Sequence, residues 1–560
     1  MPQKNIFTKY PLLAVPHSFV SCGLIRTEDP GVQKLYQKAQ GCLDAPSVWE
    51  GVFRLASMLT ENPIAEPVVG RIVSALEDSE DGSFRGTIGE QIATARAAMA
   101  LFEYNTDRTI LKRIAAWCRY LEIEWDRLFA TGRTVFCPAD LMEVLVQFYR
   151  SSGIKSVLRL CTKLRSAAFD WTTALHTIQQ VIPPENTEED QIAFIERIGA
   201  EDLDYDQKQV LLNHAEMLAD GIRYSLYAGI FSGNGQDLSA GKTAWTVLQK
   251  HYRAICGGTT AGPYLNGAGS NAGIVTAALC AWTEAFAAQM LLPDSEWAAD
   301  ELIRIVYNGL AYCLNGDDLP KEQRVNCITG TNEPDGSTAL YARATRAAAA
   351  MYRHAVTVTE SGIRINYPAR ARYLLMIRKH AVILQSDGDS IRFSCKSETT
   401  TTADVFRSRT ETAAITLRRG ETRMPLGDSG TDTGKAGRYL RIEELRCPQD
   451  SIQYDQQDAV AEENTHHRGV CWFVRNRLQV CPCEAEDYAW AAAEKPESEN
   501  GEIKVKLRHI EGWHLRHDEA DDIPVLPSRF DGEKTATLEP YDRTKAKVSM
   551  FPRINPLCLK

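Results

Sequence analysis

The sequence predicts a multidomain α + β protein in which an (α/α)-barrel domain precedes an antiparallel β-sandwich. From about residue 32 to 352, apolar residues recur every three or four positions, which is the period of amphipathic helices. From about residue 355 the period changes to two, which is typical of half-buried strands. We therefore predict an extended lead-in at 1–30 with short strand-like runs able to pair with the sandwich, a barrel at 31–354 and a β-sandwich at 355–560.

The helical pattern is clearest within residues 140–149, which end at the stop signal Ser152-Gly153. The apolar residues of this segment at positions i, i+3, i+4 and i+7 are Leu141, Val144, Leu145 and Phe148. About a dozen such segments with short polar links suit antiparallel helix pairs that close into a barrel or toroid. An open helical solenoid is the alternative, although no fixed repeat length is evident.

The strand pattern recurs after turn signals along the last third of the chain. Alternating apolar residues are Ile363, Ile365 and Tyr367, then Ile391 and Phe393 after Asp387-Gly388-Asp389, and Ile503, Val505 and Leu507 after Asn500-Gly501. Several short strands separated by such turns predict an antiparallel β-sandwich.

Composition narrows the class of protein. The 560 residues are 44% hydrophobic and carry a net charge of −10, which is typical of a soluble globular protein and argues against nucleic-acid or anionic-membrane partners. No apolar run reaches the ~18 residues that span a bilayer. The fifteen cysteines are scattered, and the N-terminus lacks a secretory pattern, so we expect reduced thiols and a cytoplasmic location.

A glycine-rich loop at residues 256–270 is the first candidate for a site. It lacks the Gly-Lys-Ser/Thr ending of a phosphate-binding loop, and a helix rather than a strand precedes it. It is either a plain inter-helix connection or part of a cavity wall. In the second case Tyr264 and Asn266, together with Trp245 and Glu143 on neighbouring helices, are candidate substrate-binding residues.

Cysteine and histidine residues give weaker signals. Cys280 and Glu284 share a helix face, but zinc needs at least three protein ligands, so Cys280 is only a weak metal candidate and no cofactor is expected. His214 lies on a mostly apolar helix face, where a histidine is more often a satisfied core residue than a catalyst, although the inner helices of an (α/α) barrel point such residues into the cavity. The cluster around Cys481 and Cys483 favours structure over metal.

Paired carboxylates are a further signal. Glu333 and Asp335 lie on a turn-forming loop, and glycosidases flank the scissile bond with two carboxyl groups about 5 to 10 Å apart. An ordinary polar turn explains the two residues equally well. Glu284 and His214 complete the set of candidate catalytic residues.

The order of several motifs resembles the β-L-arabinofuranosidase-type glycoside hydrolases of family 127, once a domain of unknown function. The matching segments are residues 140–153, Asn213-His214-Ala215, Ile255-Cys256-Gly257-Gly258, residues 298–309, Gly362-Ile363-Arg364-Ile365-Asn366, Leu538-Glu539-Pro540-Tyr541 and Met550-Phe551-Pro552-Arg553. The resemblance implies an (α/α)6 barrel joined to β-sandwich domains and a carbohydrate substrate. A homodimer would suit such an architecture.

The family's catalytic groups do not carry over. Its Glu-x-Cys zinc motif falls on Ala278-Leu279-Cys280, and its Cys-Cys-Pro pair falls near Leu340. Its general-acid glutamate falls near Gly262, and a histidine becomes Pro138. The family's thiolate and zinc mechanism is therefore not expected here.

Three hypotheses follow. The chain could be a hydrolase that uses another carboxylate pair on a plant- or microbe-derived glycan, with Asp140, Glu143 and Glu90 as further candidate acids. It could be a non-catalytic descendant that binds a glycan or serves as a structural partner. It could also be a lyase or epimerase with Tyr264 and His214 as its acid–base pair.

Overall fold

The computed structural model describes most of the chain. The described residues are 15, 17–77, 81–129, 138–178, 213–261, 265, 273–324, 335–359, 362–377, 379–426, 437–455, 459–464, 469–480, 490–492, 495–499, 502–510, 514–516, 523–525, 530–543 and 551–552. Tyr264, Asn266, Glu333, Cys481 and Cys483 lie outside these ranges.

Helices dominate the chain up to Ala355, as their periodicity predicts. They are α1 Pro30–Ala39, α2 Pro46–Leu59, α3 Pro67–Glu77, α4 Ile88–Asn105, α5 Arg108–Ile123, α6 Trp125–Phe129, α7 Ala139–Ser152, α8 Ser156–Ala167, α9 Trp171–His176, α10 Ala215–Ser232, α11 Gly235–His251, α12 Thr276–Gln289, α13 Glu296–Arg304, α14 Leu310–Asn315 and α15 Thr338–Ala355. Local chemistry sets several ends. The side chain of Thr87 caps α4 in a capping box with Glu90, and Gly153 ends α7 in the left-handed conformation.

Six of these helices form a closed ring, which we call the inner ring. Its members α2, α4, α7, α10, α12 and α15 each pack against the next, and α15 packs back onto α2. Helices α1, α3, α5, α8, α11 and α13 pack on its outside. Gly51 permits the tight contact between α2 and α15, since a Cβ there would lie 2.1 Å from Thr345 Oγ1. The inner ring therefore holds its helices at fixed, close spacing.

Short strands make up most of the rest. They are β1 Ser18–Phe19, β2 Ile25–Arg26, β3 Gly273–Val275, β4 Glu322–Arg324, β5 Val356–Val358, β6 Gly362–Ile365, β7 Ala371–Ile377, β8 His380–Ser386, β9 Ser390–Cys395, β10 Thr399–Arg407, β11 Ala414–Arg419, β12 Thr422–Pro425, β13 Arg438–Cys447, β14 Asp450–Asp455, β15 Ala461–Asn464, β16 Gly469–Val474, β17 Arg477–Val480, β18 Trp490–Ala492, β19 Glu497–Glu499, β20 Glu502–Ile510, β21 His514–Arg516, β22 Ile523–Val525, β23 Phe530–Pro540 and β24 Phe551–Pro552. Their pairing is antiparallel, as predicted, except between β6 and β10, which run parallel.

The larger sheets have the orders β1-β5-β6-β10-β13, β12-β11-β14-β9-β8-β7-β2, and β15-β16-β17-β23-β20-β18 with β19 and β24 attached. The first two include the chain's beginning, because Ser18 pairs with Val358 and Ile25 pairs with Tyr373. The alternation of buried and exposed residues along β7 is the expected period of two.

The third sheet is tied to the helices by ion pairs. Glu463 on β15 accepts from Arg253 and Arg304, each at 2.6 Å, and the Arg304 side chain is only 1% exposed. The two arginines lower the pKa of Glu463 to about 2, against the opposing effect of burial. A charged contact thus joins the helical and β parts.

None of the described helices combines the length and apolar character needed to span a membrane.

Candidate functional site

The centre of the inner ring is filled by charged side chains, which we call the central network. Every inner-ring helix contributes at least one of them. The arginines are Arg54, Arg96, Arg223, Arg343, Arg346 and Arg353, and the carboxylates are Glu50, Glu103, Asp140, Glu143, Glu216, Asp220 and Glu284. Spacings of three or four residues, as between Glu50 and Arg54, place such residues on one helix face, which here points inward.

Arg223 on α10 is the hub of the central network. Its Nη1 donates to Glu284 Oε2 at 2.7 Å and to Glu143 Oε2 at 3.3 Å. Its Nη2 donates to Asp220 at 3.1 Å and also to Asp140. One guanidinium therefore joins carboxylates from α7, α10 and α12.

Arg96 on α4 makes a second bridge across the ring. Its Nε donates to Glu50 Oε2 at 2.6 Å, while its Nη1 donates to Glu143 Oε2 at 3.2 Å and to Asp140. The hydroxyl of Tyr227 donates to the other oxygen of Glu143 at 3.0 Å. Glu143 on α7 is thus held by side chains from α4 and α10.

The remaining pairs extend along the ring axis in both directions. Towards the C-terminus of α15, Glu103 accepts from Arg54 and from Arg353, each at 3.0 Å. Towards the N-terminus of α15, Arg343 donates to Asp220 at 2.8 Å.

Asp140 is the most exposed carboxylate of the central network, with 34% of its side chain accessible. We call the end of the ring at Asp140 the mouth.

Electrostatics lower the pKa values of four of these carboxylates. Burial alone would raise the pKa of Asp140, but Arg96 and Arg223 outweigh it and hold that pKa well below its usual range. Burial alone would also raise the pKa of Asp220, but Arg343 and Arg223 lower it. The pKa values of Glu50 and Glu103 are likewise lowered by neighbouring arginines in spite of burial.

Little free space remains between the charges. The cavity at the ring centre has a volume of about 40 Å³. A water molecule needs about 10–15 Å³ measured in this way, so the cavity holds about three waters. Pockets for small-molecule ligands are typically about 300–1,000 Å³. A sugar ring therefore does not fit at the centre without displacement of the central network.

Three candidates from the sequence meet in this network: Glu143, Glu284 and Asp140. Glu143 and Glu284 accept from the same nitrogen of Arg223, at 3.3 and 2.7 Å, so those two oxygens are no farther apart than the sum of these distances. Glycosidases that retain configuration hold their carboxyl groups about 5–5.5 Å apart, which is within that limit. That limit is compatible with a carboxylate pair, and both carboxylates share one guanidinium donor.

The other described candidates lie elsewhere. Trp245 is buried in an apolar cluster against Trp282 and Phe286, with ring centroids 5.2 and 4.9 Å away. His214 is buried immediately before α10 and is not a lining residue of the cavity. Asp335 is half-buried and accepts from the Ser337 amide at 2.8 Å, just before α15. Catalytic or binding roles for these residues remain predictions.

Cys280 lies in the wall of the inner ring. It is fully buried, and burial followed by the neighbouring Cys313 and Glu284 raises the pKa of its thiol well above the usual value. Among the residues that the structure describes, no three His, Cys, Asp or Glu side chains are grouped to hold a metal ion. The described donor set therefore does not fit the zinc centre that the family resemblance would imply.

Short sequence motifs do not reveal the arginines of the central network. They belong to no short motif, because six separate helices supply the network. The signal lay in the helical pattern itself: Arg54, Arg96 and Arg223 stand within strongly apolar segments, on faces that a barrel turns inward.

This fold is found among solved glycoside hydrolases. A structure described as a glycoside hydrolase matches with a TM-score of 0.67 and 12% identity, over 98% of this chain and all of that one.

More particularly, two solved structures with this fold are family 127 arabinofuranosidases. The β-L-arabinofuranosidase from Geobacillus stearothermophilus T6 matches with a TM-score of 0.66 and 12% identity over 94% of each chain. A GH127 β-arabinofuranosidase matches with a TM-score of 0.63 and 12% identity, over 96% of this chain and 98% of that one. Sequence comparison with protein-family models gives no match, and neither does comparison with curated proteins.

Proposed function

We propose that the chain is a glycoside hydrolase-like protein, built on an (α/α)6 barrel and a β-sandwich, that binds a plant- or microbe-derived glycan without cleaving it through a carboxylate pair. The observation that carries this proposal is the central network, in which arginines neutralise the carboxylates of the ring centre. The closed inner ring and the fold shared with glycoside hydrolases support the architecture.

Acid–base glycoside hydrolysis needs two carboxyl groups in opposite states. One must be protonated to donate to the leaving oxygen, and the other must be ionised. An acid of this kind is usually kept protonated by an apolar environment or by a like charge. Glu284 instead accepts from Arg223 and Arg346, and Glu143 accepts from Arg223 and Arg96. Both carboxylates are thus occupied by guanidinium donors, and neither faces the open side of a substrate pocket in this arrangement.

The mouth is the better place for a glycan. Asp140 is partly exposed there, and the nearby Arg343 and Glu216 side chains are 15% and 18% exposed. Carboxylates and guanidinium groups together accept from and donate to sugar hydroxyls. A ligand bound at the mouth would contact only these three members of the central network.

A second candidate function is hydrolysis by Glu143 and Glu284. Their close approach favours it, because both accept from one nitrogen of Arg223, at 3.3 and 2.7 Å. It requires Arg223 to withdraw so that one carboxyl can take up a proton.

Two measurements on the full chain separate these functions. Release of aryl alcohol is followed with aryl pentosides and hexosides, and oligosaccharide binding is measured by calorimetry after a glycan-array screen. We expect binding without hydrolysis, weakened by Asp140→Asn and unchanged by Glu122→Gln on α5, outside the inner ring. Hydrolysis abolished by Glu143→Gln would establish the second function instead. Absence of both binding and hydrolysis would refute both proposals.

A further inference from the structure

The end of the cavity farthest from the mouth differs from the rest of the ring centre. We call it the cavity floor; Phe19, Ala350, Arg353 and His354 line the cavity there, and Arg346 lines it about two helical turns nearer the mouth along α15. The two alanines facing this region, Ala350 on α15 and Ala287 on α12, leave space where longer side chains would fill it.

Two buried nitrogens at the cavity floor have unused hydrogen-bonding capacity. Among the described residues, Arg353 Nε and His354 Nδ1 are buried atoms without a hydrogen-bond partner. Arg353 is only 7% exposed and His354 only 6%. Buried polar atoms are nearly always satisfied in folded proteins, and a species bound in the cavity would satisfy these two.

Arg346 adds further donors. Its Nε donates to Glu284 at 3.1 Å. A guanidinium has five N–H donors and no acceptor, so most of its donor capacity is still available towards the cavity. Arg346, Arg353 and His354 therefore offer several N–H groups to one small space.

The adjoining carboxylates are already engaged. Glu103 accepts from Arg54 and Arg353, and Glu284 accepts from Arg223 and Arg346. Water at the cavity floor would bring two donors of its own into a lining rich in donors. A species that only accepts hydrogen bonds suits this lining better.

We propose that the cavity floor binds one small monovalent anion of chloride size, held by Arg346, Arg353 and His354. The volume of about 40 Å³ admits such an ion with one or two waters and excludes larger oxyanions with their hydration. The ion would be a structural ligand of the ring, which is a role separate from glycan binding at the mouth. It would fix the C-terminal end of α15 against α2 and α12.

Thermal unfolding of the full chain tests this inference. Sodium chloride is exchanged for sodium gluconate at constant ionic strength, because gluconate is too large for the cavity. A ligand that binds only the folded state raises Tm saturably, which for 560 residues is about 1 °C at ten times its Kd and about 2 °C at a hundred times its Kd. Bromide should act similarly, and crystals grown in bromide should show one anomalous peak at the cavity floor.

Two variants separate the site from general salt effects. Arg346→Gln removes donors from the cavity and should abolish the chloride-dependent rise. Arg343→Gln breaks a comparable ion pair with Asp220 near the mouth but does not line the cavity, so it should lower Tm yet keep the rise. Equal Tm in chloride and gluconate, or an undiminished rise in Arg346→Gln, would overturn the proposal.

Discussion

Replacement of Glu284 by glutamine tests whether the central carboxylates are structural. The Glu284 side chain is 5% exposed and accepts from Arg223 at 2.7 Å and from Arg346 at 3.1 Å. Glutamine keeps the size of the side chain but removes its charge. The buried guanidinium groups of Arg223 and Arg346 would then lose a negatively charged partner.

The expected cost follows from that burial. Removal of one partner from a buried ion pair costs about 3–5 kcal/mol, because the remaining charge stays buried and uncompensated. The glutamine oxygen still accepts one hydrogen bond, so we expect a loss of about 3 kcal/mol in the free energy of unfolding. Urea unfolding is followed by the fluorescence of tryptophans, of which Trp282 lies on the same helix as Glu284.

The matched control is Glu122→Gln. Glu122 pairs with Arg159 at 2.7 Å on the surface, where the arginine side chain is 66% exposed. Surface pairs contribute about 0–1 kcal/mol, so this variant should unfold almost as the parent does. If Glu284→Gln were as stable as the control, or more stable than the parent, the structural interpretation would be wrong. A residue held in a strained catalytic site often gives that result.

Three further predictions concern packing, pH and the contact between helices and sheets. Gly51→Ala should lower the free energy of unfolding by about 1–3 kcal/mol through overpacking, whereas Gly70→Ala, with open space on α3, should raise it by up to about 1 kcal/mol; urea unfolding measures both. Burial lowers the pKa of His354 to about 3 in the folded chain, whereas the imidazole of the unfolded chain has a pKa of about 6.5. Between these two values only the unfolded chain takes up the proton, so the free energy of unfolding decreases as the pH falls from about 6.5 towards 3. His354→Asn should reduce this slope by about 1.4 kcal/mol per pH unit in unfolding measured between pH 6 and 4, and an unchanged slope would contradict the assignment. Glu463→Gln removes the carboxylate that pairs with Arg304 and should separate sheet and ring unfolding into two calorimetric transitions; one unshifted transition would argue against that contact as the link.

Much of the fold was predictable because its signals are local. The period of helix α7 and the alternation along β9 are properties of short segments, and both elements lie where the pattern placed them. The parallel pairing of β6 with β10 was not predictable, since it depends on segments that are separated by three other strands in the sequence. The short β3 and β4 pair within the helical part carries no alternating pattern long enough to recognise.

The candidate site was predicted only in part. Glu284 and Glu143 were found because carboxylates on helices attract attention as acid candidates. Their electrostatic partners were not found, because Arg96, Arg223 and Arg346 come from three different helices and meet only when the ring closes. A change of charge environment is a property of the assembled ring, so sequence spacing could not reveal that these carboxylates are neutralised.

The pairing of the chain's beginning with its sheets has a consequence for synthesis. Ile25 pairs with Tyr373, whose strand leaves the ribosome only after the whole helical part has been made. At about 5–20 residues per second, the first strands wait about 20–70 s for their partners. Helix α2 packs against β2 and against α15, which is also made late, so its final anchoring waits as well. Ribosome-bound chains that end before Tyr373 should therefore leave this N-terminal region open to protease.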